Sequence, residues 1–146
     1  MANHMTILIL FAVGIASSTQ FDIKAATDAE FNAFRVTAAE ECRVENHVAK
    51  GEWEKLAANR HMPHDKNLSC MAACFMEKFK SLNTDGTLNW EQIELWNKKE
   101  HGELGVQYLK ICRPKVDETA ERCELARALV DCYFVEGEKL GLFNKP

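Results

Sequence analysis

Three groups of residues have the types and spacing to do chemistry. Residues 81–92, SLNTDGTLNWEQ, approximate a calcium-binding loop. With Gly86 at the turn position, Asn83, Asp85 and Asn89 fall where an EF-hand loop places oxygen ligands. Ser81 and Gln92 stand where that loop needs an aspartate and a bidentate glutamate, so one carboxylate ligand remains and calcium is not expected. His61 and His64 flank Pro63, but no second ligand pair has metal spacing, and a structural zinc site is closed by four ligands. They read as exposed loop histidines, and no metal or cofactor is expected. The third group is six cysteines, at 42, 70, 74, 112, 123 and 132. An even set of cysteines in a secreted chain implies disulfides, and paired thiols leave no nucleophile.

Secretion is expected from residues 1–20, MANHMTILILFAVGIASSTQ, whose apolar run from Thr6 to Ile15 fits a signal-peptide core and is too short to span a membrane. Small residues at Ala16, Ser17 and Ser18 allow cleavage between 16 and 20, so residues 1–18 read as a signal peptide and 19–146 as one helical domain. No later apolar run has membrane-spanning length, and membrane insertion is not expected. The net charge of −4 is mild and lacks basic blocks, which argues against a nucleic-acid partner.

The elements that must position these residues read as helices throughout, an all-α class. Thr27 and Glu30 form a capping-box pattern, with Phe31, Phe34, Ala38 and Cys42 on one face behind it. A second helix is expected over 47–60, burying Val48, Trp53 and Leu56. A third is expected from Asn67, with Met71, Phe75, Phe79 and Leu82 on one stripe. A fourth over 89–100, capped by Asn89, is ended or kinked by Gly102. The fifth covers 104–113, with Leu104, Tyr108 and Ile111 inward and Pro114 at its end. Asp117 is the expected cap of the last helix, whose segment LARALVDCYFV is apolar nearly all round and should be surrounded by other helices. Gly137 and Gly141 then loosen the chain before Leu142 and Phe143. In this frame Asn83 to Gly86 makes a turn between the third and fourth helices, with Leu88 and Trp90 tucked onto the core.

Six cysteines allow fifteen pairings. Cys70 and Cys74, one helical turn apart with parallel side-chain directions, are poorly placed to bond each other. Cys123 and Cys132 are nine residues apart, which on a continuous helix turns them to opposite faces. The spacing C-x27-C-x3-C-x37-C-x10-C-x8-C resembles the signature of the insect odorant-binding proteins, the pheromone-binding and general odorant-binding family, over essentially the whole mature chain. That resemblance implies pairing of Cys42 with Cys74, Cys70 with Cys123 and Cys112 with Cys132. It implies a six-helix, disulfide-stapled cup around an apolar cavity. Its implied function is carriage of small hydrophobic, volatile odorants or pheromones through aqueous extracellular fluid, sensillum lymph if olfactory, to a membrane odorant receptor. A weak homodimer is left open.

The family has no fixed ligand motif to transfer. The cavity lining is therefore read from apolar helical positions that should converge: Phe75, Ile93, Trp96, Val106, Leu109, Leu129 and Tyr133, with Phe143 folding back over the opening. Each can equally be ordinary core. His101 and the tail are candidates for pH-dependent release. Asn67-Leu-Ser69 is a glycosylation sequon, but Asn67 also suits the cap of the third helix, and the capping role is preferred.

Catalysis is not expected. His64-Asp65 resembles the His-Asp pair of secreted phospholipases A2, yet the preceding NRHMP carries none of the accompanying cysteines, and neither a glycine-rich calcium loop nor Gly-x-Ser-x-Gly occurs. The alternatives on this fold are a lipid or hormone carrier outside smell, or an extracellular interaction protein with a filled core.

Overall fold

The computed structural model describes residues 21–144; the expected signal peptide lies outside them. The described residues form six α-helices: α1 Asp28–Glu45, α2 Glu52–Asn59, α3 Lys66–Lys78, α4 Trp90–His101, α5 Glu103–Cys112 and α6 Arg122–Leu140. A 3-10 turn, Arg113–Lys115, follows α5. The fold is all-α, and no strand is present among the described residues beyond one isolated bridge, Leu82 to Leu88.

Local chemistry sets several helix ends. At α1 the Thr27 hydroxyl accepts from the Glu30 amide at 3.2 Å, while the Glu30 carboxylate accepts from the Thr27 amide at 2.8 Å. Both otherwise free amides are satisfied within the helix start. The Asn89 side chain accepts from the Gln92 amide and caps α4. Gly102 separates α4 from α5 at φ 61°, ψ −142°, a backbone region that glycine tolerates and other residues do not.

Other ends differ from the sequence reading. The second helix starts at Glu52: His47 takes a left-handed φ of 55°, Arg43 donates to the Val48 carbonyl at 2.8 Å, and Gly51 turns the chain at φ 88°. These bonds hold 46–51 as a connection and leave α2 two turns long. The cap of α3 is Asp65, whose carboxylate accepts from the Leu68 amide at 2.9 Å, so Asn67 is displaced from the cap into the helix and its side chain is exposed. The helix stops at Lys78 because Lys80 turns left-handed, which puts Leu82 beyond the helical stripe although it remains buried. Glu121 caps α6; Asp117 closes a turn onto the Thr119 amide and hydroxyl. On α5 the inward face is Gly105, Tyr108, Leu109 and Cys112, and Leu104 is exposed. Gly137 stays helical, and its missing side chain makes room for the returning tail: a Cβ there would stand 3.0 Å from both Leu142 and Phe143.

Three disulfides tie the helices: Cys42–Cys74 joins α1 to α3, Cys70–Cys123 joins α3 to α6, and Cys112–Cys132 joins α5 to α6. Their partners lie 32, 53 and 20 residues apart, and by the chain-entropy account each closed loop contributes about 3–4 kcal/mol by restricting the unfolded chain. Thus α6, packed against α3 and α5, is stapled to both. This cross-linking offsets the packing that a hollow interior forfeits.

The calcium-like stretch is a hydrogen-bonded turn. Asp85 accepts from the Thr87 amide at 2.9 Å and hydroxyl at 2.6 Å, Gly86 supplies φ 87°, and Asn89 is committed to its cap. Leu88 is buried, and Trp90 packs half-buried against the core. Among the described residues no group of three His, Cys, Asp or Glu is placed to hold a metal ion.

Candidate functional site

A cavity of about 820 Å³ opens among the helices. That volume falls in the range of small-molecule pockets, roughly 300–1,000 Å³. Every helix reaches it: Ala39 from α1, Trp53 and Ala57 from α2, Met71 and Phe75 from α3, Ile93 and Trp96 from α4, Tyr108 from α5, Leu129 and Tyr133 from α6. The tail adds Leu142 and Phe143. The inner wall is largely apolar, buried at Met71, Phe75, Ile93, Tyr108, Leu129 and Leu142 and half-buried at the other positions named. Toward α1 and α2 it meets Val36, Glu40, Lys50 and Glu54, all exposed, which marks the mouth.

Helical spacing explains the convergence. On α3, Met71 and Phe75 stand one turn apart on one face, and on α4 Ile93 and Trp96 do the same. Trp96 is seated among aromatic rings, 5.7 Å from Phe75 and 4.9 Å from Phe79 between centroids. Phe79 in turn meets Phe34, on which Phe21 stacks at 4.1 Å, so a continuous aromatic layer backs this wall. Edge and offset contacts of this kind add about 0.5–1.5 kcal/mol each beyond burial.

Of the eight positions taken from the sequence, the structure places Phe75, Ile93, Trp96, Leu129, Tyr133 and Phe143 on the cavity and Val106 and Leu109 off it. The helix α5 presents Tyr108 instead. Val106, two residues earlier, points about 200° around the helix from it. Leu109 is buried in the core. The sequence reading missed the contributions of α1 and α2 and of Met71, although Met71 shares the stripe of Phe75 and could have been found from it. It also missed Ser81, which lines the cavity from the turn after α3.

Most polar groups on the wall are already paired. The Tyr133 hydroxyl and His101 Nε2 are 2.8 Å apart, Asn97 donates to the Ile93 carbonyl at 2.7 Å, and Arg35 of α1 is ion-paired with Glu100 of α4. Burial pushes the hydroxyls of both Tyr108 and Tyr133 well above the ordinary tyrosine range, so both stay neutral, and the negative charge of Glu100 adds to the effect at each. Two polar atoms differ: Ser81 Oγ and Trp96 Nε1 are buried and have no hydrogen-bond partner among the described residues. Outside the cavity, His61 faces Asp131 at 3.1 Å, and Asp131 also accepts from the Met62 amide at 2.9 Å. These bonds hold the turn before α3 against α6. All six cysteines are bonded, and the arrangement offers enclosure of an apolar molecule.

A family model described as the PBP/GOBP family matches residues 24–136. Among solved structures the chain is similar to "Odorant-binding protein dmelOBP28a from Drosophila melanogaster", with a TM-score of 0.62 and 23% sequence identity, over 83% of this chain and 99% of that one. Among curated protein sequences, none matches. No helix among the described residues is long and apolar enough to cross a membrane.

Proposed function

The chain belongs to the PBP/GOBP family, and from that membership together with its cavity we propose a secreted carrier of small hydrophobic, volatile molecules of the odorant or pheromone class. It takes them from air or membrane into the cavity, crosses aqueous fluid with them and releases them at a membrane odorant receptor. The observation that carries this reading is the cavity of about 820 Å³, lined largely by apolar side chains, buried or half-buried, from all six described helices. A filled-core interaction protein has no use for such a space, whose walls give up packing contacts.

The energetics are sufficient. Micromolar affinity corresponds to about −8 kcal/mol. Association costs at least about 4 kcal/mol in lost freedom, so roughly 12 kcal/mol of gross interaction is needed. At about 25 cal/mol per Å², burying roughly 500 Å² of apolar surface on ligand and walls together supplies it. Titration with a fluorescent naphthylamine that brightens in apolar surroundings tests the proposal: one saturable site of micromolar or tighter affinity, emptied by volatile apolar competitors, is expected. A folded protein that leaves the probe dark at saturating concentration would overturn it.

A further inference from the structure

We propose that Asn67 carries an N-linked oligosaccharide, attached as the chain enters the secretory pathway. The proposal rests on the secreted reading and adds a modification which that reading does not require. Asn67-Leu-Ser69 has the acceptor pattern, with leucine at the middle position. The competing role for Asn67, capping α3, is taken by Asp65, whose carboxylate accepts from the Leu68 amide at 2.9 Å. Asn67 is thereby left in the first turn of α3, exposed, and its side-chain amide makes no hydrogen bond to another described residue. His64, Asp65 and Lys66 beside it are exposed as well, and Asn67 is not among the residues that line the cavity. A bulky, hydrated sugar there projects into solvent without displacing core or cavity wall.

The folded protein is not itself the acceptor, because Ser69, whose hydroxyl completes the pattern, is 5% exposed and donates to the Asp65 carbonyl at 2.6 Å. Transfer has to precede packing, and the order of the chain provides the interval. The helix α3 packs chiefly against α6, which starts at Arg122, and Cys70, next to Ser69, bonds Cys123, 53 residues further on. At about 5–20 residues per second, that stretch takes roughly 3–10 s to synthesise. Until then α3 stands without its main partner, and 13 residues are marginal as an isolated helix, so the acceptor pattern stays open. In the transfer the Asn67 amide nitrogen bonds to C1 of an oligosaccharide held on a polyprenyl diphosphate. The C1–O bond to that diphosphate breaks, the diphosphate leaves with its electron pair, and the nitrogen gives up one proton; nothing is oxidised or reduced.

The experiment expresses the full chain, with residues 1–20 as its own leader, in cultured insect cells. Protein from the medium is weighed by intact-mass spectrometry before and after digestion, in ¹⁸O-labelled water, with a peptide N-glycosidase that tolerates core fucose. Most of the secreted protein is expected to exceed the polypeptide mass by one trimmed oligosaccharide, and digestion is expected to leave an ¹⁸O-labelled aspartate at position 67. Asn67→Gln and Ser69→Ala should each remove the added mass, whereas Ser69→Thr, which keeps the acceptor pattern, should retain it. Asn67→Gln exchanges one exposed amide for another, so this test does not hang on a folding defect. Wild-type protein secreted mainly at the bare polypeptide mass overturns the proposal and leaves the carrier reading intact. Added mass that persists in Asn67→Gln also overturns it. A wild-type chain kept inside the cell with its leader uncleaved overturns the secreted reading and the proposal together.

Discussion

The guanidinium of Arg60 lies over the ring of Phe143, 3.9 Å from its centroid. Arg60 ends α2 in a left-handed conformation and also pairs with Glu138 of α6 at 3.4 Å, so one side chain ties the end of α2 to the end of the chain. Phe143 meets Tyr133 edge-on at 5.2 Å, and Tyr133 bonds His101. The tail is thereby part of the cavity wall, held from outside by a cation and from beneath by the bare backbone of Gly137.

Shortening Phe143→Ala should therefore weaken binding of an apolar probe by about 5- to 30-fold, through lost wall contact worth roughly 1–2 kcal/mol. Removing the cation with Arg60→Met should cost less, about 2- to 5-fold, as expected for a cation–π contact of about 0.5–1 kcal/mol at a partly exposed site. Probe titration with stability measured in parallel checks both. Unchanged affinity in Phe143→Ala would show that the tail is not part of the wall.

Gly105 meets α4 too closely for any side chain, since a Cβ there would stand 2.3 Å from the Asn97 backbone carbonyl oxygen. Backbone cannot swing aside as a side-chain tip can. The variant Gly105→Ala should lose about 1–3 kcal/mol by forcing α5 away from α4, despite alanine being the better helix former. Urea unfolding measures it, and a stabilised variant would contradict the packing of these two helices.

Acid should destabilise the fold through carboxylates that the native state holds below their usual range. Glu136 is lowered chiefly by Lys115 and then Lys139, Glu124 by Arg127, Asp85 and Asp117 by neighbouring threonines, and Glu30 by the Thr27 cap. Each folded-state pKa lies under the unfolded value. Their stabilisation is thus present above about pH 4 and is lost as pH falls through the depressed folded values. Urea midpoints should fall progressively below about pH 4, and Glu136→Gln should flatten that fall. A fall of equal steepness in the variant would remove Glu136 from the explanation.

Much of the helical frame was legible because its signals are local. Thr27 with Glu30, Asn89 before Trp90 and Gly102 each settle a helix end within a few residues. Asp65 rather than Asn67, and Glu121 rather than Asp117, were not legible, because several capping residues stood close together and tertiary contacts chose between them. At α6 the Cys70–Cys123 bridge and the Arg122–Glu77 ion pair fix where the helix begins. The cavity wall followed the same division. Phe75, Ile93, Trp96 and Leu129 lie on inward helical stripes, whereas Val106 and Leu109 required knowing which side of α5 faces the hollow. The unpaired state of Ser81 and Trp96 depends on distant neighbours and has no sequence signature.

The proposed carrier role requires that the ligand be held in this space and on no other surface. Leu129→Trp places an indole into the cavity from α6, while Val135→Trp adds the same ring to an exposed position on the same helix. With folding verified for both by circular dichroism, probe titration is expected to show binding lost or weakened at least about 10-fold, or about 1.4 kcal/mol, in Leu129→Trp and unchanged in Val135→Trp. Equal and undiminished affinity in the two variants would contradict the placement of the ligand in this cavity.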